Sequence, residues 1–289
     1  MAFKLKHVVE ASSLASLINA EFYGADILID NVASKDQIQK NSISFSQTTE
    51  FYENTCLIVP DLPSNHESKN SSFIVTSNPR LGFIEILEYL VKEVGFTHNN
   101  FESKIDPTAK IGKNVVIEKG CIIGKNVVIE HNTTIYSGTS IGDNSIIRSN
   151  TSIGAEGFGI ETLKDGSNIR FPHLGGVKIG KNVEIGTLNS LAKGTLGDTI
   201  IEDYVKTDSL VQIAHNCHIK RGCIITTCVC IAGGVTLGEN VWLGPNVSVM
   251  NKIELGQQAF IGLGAVVTKD VAPLEVWAGN PAKFIKKVS

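Results

Sequence analysis

The sequence predicts a mainly β chain: a parallel β-helix of hexapeptide repeats, about eight coils long, behind a small N-terminal α/β domain. Three observations carry this. From Ile201 onward an aliphatic residue recurs at every sixth position, through Ile213, Ile219, Ile225, Ile231, Leu237, Leu243, Val249, Leu255 and Ile261 to Val267, with Thr207 the one polar member. The same period runs from Ile105 through Ile111, Ile117, Ile123, Ile129, Ile135, Ile141 and Ile147 to Ile153, and returns at Ile179, Ile185 and Leu191. Residues before about 100 lack it entirely. A period of six matches neither the 3.6 of a helix nor the 2 of a strand. It marks a repeat whose apolar face is buried only by stacking on its neighbours. Three short strands then make an eighteen-residue coil, with each aliphatic residue pointing inward. Small residues four positions on (Cys217, Cys223, Val229, Val235, Val241) suit a chain bending round a filled interior.

Taken in order, residues 1–100 read as a small α/β domain. Ser12-Ser13 before Leu14, Leu17 and Ile18 predicts a short capped helix. Apolar runs at 27–29, 43–45, 56–59 and 73–75, each bounded by polar or Pro residues, predict strands. Asn78-Pro79 supplies a cap and a first-turn proline for a helix whose face is Phe83, Ile84, Leu87, Leu90, Val91 and Val94, closed by Gly95. Residues 96–104 form a polar linker. The hexads from 101 to 272 are the β-helix domain, interrupted by an inserted loop at about 157–176 and a four-residue slip at about 194–199. A solenoid admits insertions only at its corners, and such loops tend to carry function. Residues 273–289 form a C-terminal tail.

Composition narrows the function. A net charge of -3 over 289 residues gives no support for a nucleic-acid partner. No apolar run approaches the roughly 18 residues that span a bilayer, and the N-terminus has no signal core, so a cytoplasmic protein is expected. The six cysteines show no Cys-x-x-Cys spacing and read as packing thiols; no metal is expected, because three histidines do not converge in the repeat register. His215 is different. It takes an outward position two residues past Ile213, and eighteen residues on, about 4.8 Å away, stands Gly233. A general base beside a bare backbone N–H is what acyl transfer needs: the base takes a proton from the attacking amine or hydroxyl, and the donor stabilises the oxyanion. A non-catalytic binding role would leave His215 and the inserted Gly-Phe-Gly loop without a task.

Ile153-Gly154-Ala155-Glu156-Gly157-Phe158-Gly159 and Gln212-Ile213-Ala214-His215-Asn216 resemble the two signatures of the UDP-3-O-acylglucosamine N-acyltransferases of lipid A biosynthesis. Val32-Ala33-Ser34, Ile43-Ser44-Phe45 and Ser77-Asn78-Pro79 are similar to that family's nucleotide-binding domain. The resemblance implies left-handed β-helices assembled as a homotrimer, His215 as general base and Gly233 as oxyanion donor. It also implies a nucleotide-linked amino sugar (UDP- or dTDP-) held by Phe45, Thr48, Phe51, Gly157, Phe158, Gly159 and Asn216, with Phe45 stacking on the base.

Three departures shape the expected donor. Thr48 and Phe51 stand where the family has Asn and Tyr, and Asn251-Lys252 where it has a second histidine. Instead of the family's terminal helices, a closing turn with Trp277, Lys283, Lys286 and Lys287 is similar to that of coenzyme A-dependent sugar acetyltransferases. The sequence therefore predicts a nucleotide-sugar N-acyltransferase favouring acetyl- or another short acyl-coenzyme A, with Asn251, Lys252, Trp277 and Lys283 toward the donor. The alternative is a true lipid A enzyme taking its acyl group from acyl carrier protein (acyl-ACP).

Overall fold

The computed structural model describes residues 2–48, 52–63 and 70–288. The chain divides into two compact units: Met1–His98 with Gly159–Leu174, and Asn99–Phe158 with Gly175–Ser289.

The first unit is built on a six-stranded sheet of order β1-β3-β4-β5-β6-β2, where β1 is Phe3–Glu10, β2 Glu21–Gly24, β3 Leu28–Val32, β4 Ser42–Phe45, β5 Cys56–Val59 and β6 Ser72–Val75. The four inner strands are parallel and the two edges antiparallel. All of β5 is buried, which is why it reads as an unbroken apolar run. Neither edge strand was legible: β1 alternates with Lys and His, and Glu21-Phe22-Tyr23-Gly24 is too short and polar to stand out.

Helix α1 (Ala11–Leu17) starts before the predicted serine cap, and Ser12 instead donates its backbone N–H (2.9 Å) and hydroxyl to the Asp26 carboxylate. Leu17, expected on its buried face, is exposed. Helix α2 (Pro79–Tyr89) starts as predicted: the Asn78 side chain accepts from Leu81 N–H at 3.1 Å, Pro79 enters the first turn, and Phe83, Ile84 and Leu87 are buried. Its expected last turn is instead a π-helical turn, Leu90–Val94, in which Leu90 is buried but Val91, expected on the same face, is exposed. Residues 96–98 are part of this unit rather than a linker. Phe96 bridges to Leu5, Thr97 N–H donates to Lys4, and the His98 ring meets Phe3 edge-on at 4.8 Å.

The second unit is a parallel β-helix of three sheets, with eight, ten and eight strands. Its rungs pair eighteen residues apart, as in Ile213↔Ile231 and Ile231↔Val249. The inserted loop widens one step to Ile141↔Ile179 and the slip the next to Ile179↔Ile201. The hexad aliphatics form one continuous core, and Thr207 is accommodated by accepting from Gly186 N–H and donating to Asn189 Oδ1. Ile105 and Ile111 are 43% and 41% exposed, because the first coil has a neighbour on one side only. The eight predicted coils are extended by an incomplete ninth. Val271 bridges to Leu255 and Glu275–Ala278 pairs with Phe260-Ile261, before Lys283–Lys287 folds back antiparallel. The tail is thus a closing part of the sheet.

The corners carry a signal the hexad count passes over. Asn114, Asn126, Asn132, Asn144, Asn150, Asn182, Asn216, Asn240 and Asn246 all have positive φ, three residues after an inward aliphatic. A left-handed turn is required there, and Asn tolerates it best after Gly. Of the cysteines, Cys56, Cys121, Cys217 and Cys223 are buried, as packing thiols should be, but Cys228 and Cys230 are exposed. Cys228 takes a left-handed corner and Cys230 an outward strand position facing Gln212 Oε1 at 2.9 Å.

Adjacent residues test the core. Ile225 is fully buried and Ile224 is 46% exposed. Ile225→Ala is expected to cost about 2–5 kcal/mol by loss of burial and cavity formation. Ile224→Ala should stay within about 0.5 kcal/mol. Equal shifts in chemical denaturation would contradict the inward assignment of the hexads.

Candidate active site

Register places Lys193, His215, Gly233 and Asn251 at successive rungs of one corner, each two residues beyond an inward aliphatic (Leu191, Ile213, Ile231, Val249). The rungs are tied by Gly234 N–H donating to His215 O at 2.9 Å and Lys252 N–H to Gly233 O at 3.0 Å. His215 is half-buried, and its ring lies against the bare Cα of Gly233. A Cβ built on Gly233 would stand 2.7 Å from Cε1 and 2.9 Å from Nε2. Among the described residues the Gly233 N–H donates to no acceptor. The two predicted catalytic groups are therefore in direct contact, with an imidazole and an uncommitted backbone donor at one place.

On the rung before His215, Lys193 Nζ pairs with Glu156 Oε1 at 2.8 Å. This ion pair was not anticipated, since the slip at 194–199 conceals that Lys193 is in register with His215. Asn216, expected to contact substrate, holds that slip closed: its Oδ1 accepts from Thr195 N–H at 2.7 Å, and its own N–H donates to Thr199 Oγ1 at 2.9 Å. His218 faces Glu202 Oε1 at 2.6 Å. Burial pushes the Cys217 thiol up to about 11 and the Cys223 thiol up to about 12, which leaves both protonated and poor nucleophiles. No group of three or more His, Cys, Asp or Glu among the described residues is arranged to hold a metal ion. No helix among them is long and apolar enough to cross a membrane.

The other predicted site residues are distributed. In the first unit, Phe45 ends β4 half-buried, its ring 4.9 Å from that of Phe83 and tilted by 37°. Thr48 lies just beyond, its N–H donating to Ser46 Oγ at 3.2 Å. Phe51 falls outside the described residues. Gly157 (buried) and Phe158 (80% exposed) belong to the second unit, Gly159 to the first. Residues 159–174 are a hairpin in which Ile160–Thr162 pairs antiparallel with Asn168–Arg170.

The donor-side residues divide. Asn251, Lys252 and Lys283 are exposed, and Lys252 takes a left-handed corner. Trp277 is half-buried, packed on the core of the helix, and its indole N–H donates to Glu275 Oε2 at 2.9 Å. Lys287 pairs with Glu275 at 2.8 Å, and these two partners hold the Glu275 carboxyl below its ordinary value. Trp277 and Lys287 therefore share the Glu275 carboxylate at the end of the β-helix. A groove of about 610 Å³ is lined by Lys220, Glu239, Glu254 and Asp270 among others, and by none of the predicted site residues.

Family models match at residues 95–160 (GMPPB C-terminal domain) and 234–269 (hexapeptide repeat of succinyl-transferase). Among curated proteins the chain is similar to UDP-3-O-acylglucosamine N-acyltransferases. That of Methylobacterium nodulans is 39% identical over 46% of this chain, and that of Delftia acidovorans 36% identical over 43%. In each case the match spans 37% of the relative's own length. Among solved structures, LpxA from Acinetobacter baumannii superposes with a TM-score of 0.56 at 25% identity, covering 64% of this chain and 72% of that one. UDP-N-acetylglucosamine acyltransferase from Campylobacter jejuni gives 0.52 at 27%, covering 64% and 73%. The chain is thus a hexapeptide-repeat β-helix protein, similar over a little under half its length to the UDP-3-O-acylglucosamine N-acyltransferases and in fold to LpxA.

Proposed function

We propose that this protein is an N-acyltransferase acting on a UDP-linked amino sugar, with His215 as general base and Gly233 N–H as oxyanion donor. The observation that carries the reading is the contact of the His215 ring with Gly233. The sugar's amine nitrogen attacks the carbonyl carbon of a thioester, and the carbonyl oxygen gains charge that a backbone N–H stabilises. His215 accepts the proton the amine loses; the carbon–sulfur bond breaks, the amide forms, and the thiolate leaves with that proton. Nucleotide affinity belongs, in this reading, to Phe45 and its surroundings in the first unit, and a homotrimer is the proposed assembly.

The names of the relatives favour the lipid A-type alternative, a UDP-3-O-acylglucosamine acceptor with a carrier-borne acyl group, over the short acyl-coenzyme A reading. The tail weakens the latter too, because Trp277 and Lys287 are engaged by Glu275. Purified enzyme, offered UDP-linked amino sugars with either long hydroxyacyl carrier protein or acyl-coenzymes A, is expected to yield an N-acylated UDP-sugar by mass spectrometry, chiefly with the carrier protein. Turnover with acetyl-coenzyme A alone would restore the short-acyl reading. No product from any pairing would favour a binding role.

A further inference from the structure

Phe45 is the open end of a row of rings inside the first unit. Behind it Phe83 lies 4.9 Å away, and behind that Phe171, from the hairpin, at 5.9 Å and 43°. Phe83 and Phe171 are buried, Phe45 only half so. The far end of the row is closed by Arg80, whose guanidinium carbon sits 5.2 Å from the centroid of the Phe171 ring. Arg80 and Phe83 are three residues apart on α2, so they share the face that meets the hairpin. Arg80 Nε also donates to Glu161 Oε2 at 2.7 Å, and the Asn78 side-chain amide approaches Glu161 Oε1 at 3.4 Å.

This arrangement runs against local preference. A cation in the first turn of a helix opposes the helix dipole. Arg80 is held there because the Glu161 carboxylate supplies the charge the helix start favours and the Phe171 face accepts the guanidinium plane. Only a planar cation can lie over a ring and donate sideways from Nε at once, so lysine is not an equivalent. The hairpin base is fixed as well, with His173 Nδ1 2.8 Å from Phe171 O and His98 Nε2 3.0 Å from Leu174 O. Phe171 therefore has little freedom except along the row.

We propose that Arg80 is a positioning residue for nucleotide recognition: clamped between Glu161 and Phe171, it sets the Phe171–Phe83–Phe45 row and hence the angle of the open Phe45 face. The inference rests on the reading of Phe45 as the base-stacking platform. A tilt of the row misaligns the face offered to a base, and misplacement of about 1 Å is worth up to 10²-fold. In the full-length protein, Arg80→Met and Arg80→Lys are each expected to weaken UDP binding about tenfold by calorimetry. KM for the UDP-sugar should rise by more than kcat falls. Glu161→Gln should act in the same direction, and Arg80→Met/Glu161→Gln should bind no worse than the weaker single variant, because both changes release one clamp. If Arg80→Met does not fold, Arg80→Lys carries the measurement. Folded Arg80 variants that bind UDP as the unaltered protein does would reduce the clamp to a hairpin fastening. Phe45→Ala separates the two ideas: if it abolishes UDP binding while the Arg80 variants do not change it, only the clamp fails. If Phe45→Ala has no effect, the platform fails and the clamp with it.

Discussion

His215→Ala is expected to lower kcat by roughly 10²–10⁴-fold, the usual contribution of general acid–base catalysis. KM for the sugar nucleotide should change little, since the proposed base-stacking residue, Phe45, belongs to the other unit. The fold should survive: His215 lies at a corner, and that corner is anchored by Ile213 and Cys217 on either side, both buried. Steady-state kinetics with circular dichroism as a folding control measure both quantities. Near-normal turnover in a folded His215→Ala protein would remove the imidazole from the mechanism.

Gly233→Ala should cost about 10²-fold in kcat for a different reason. The new methyl would stand 2.7 Å from His215 Cε1, closer than carbon atoms approach, so the ring must swing away from residue 233. A displaced base loses the alignment that makes proton transfer fast. The neighbouring glycine provides the control. Gly234 has a φ of +73°, and a Cβ there would meet nothing nearer than Lys252 Cγ at 3.4 Å. Gly234→Ala should therefore cost about 1–2 kcal/mol of stability through its backbone while leaving the His215 ring in place. Turnover lost at 233 and stability lost at 234 is the expected pattern. Full activity in Gly233→Ala would show that the contact between ring and glycine is incidental.

What was legible in the sequence follows from one number. In a stacked helix each residue touches those eighteen before and after it, so counting placed the inward aliphatics and set His215 over Gly233. Local chemistry settled α2 in the same way, with a cap at Asn78 and Pro79 in the first turn. The Asn corners were equally available, as a recurrence three residues after nine of the inward aliphatics. Only the tertiary structure decided the contacts that no period governs. It joined residues 159–174 to the first unit, brought Glu161 and Phe171 to Arg80, and set Lys193 beside His215 across an irregular step. It also turned Trp277 onto the core and Lys287 onto Glu275, where the sequence suggested an open cradle for an anionic donor. The physical reason is the same throughout. A repeat writes its contacts into the chain at constant separation, whereas an insertion or a closing strand makes contacts whose separation depends on where the fold carries it.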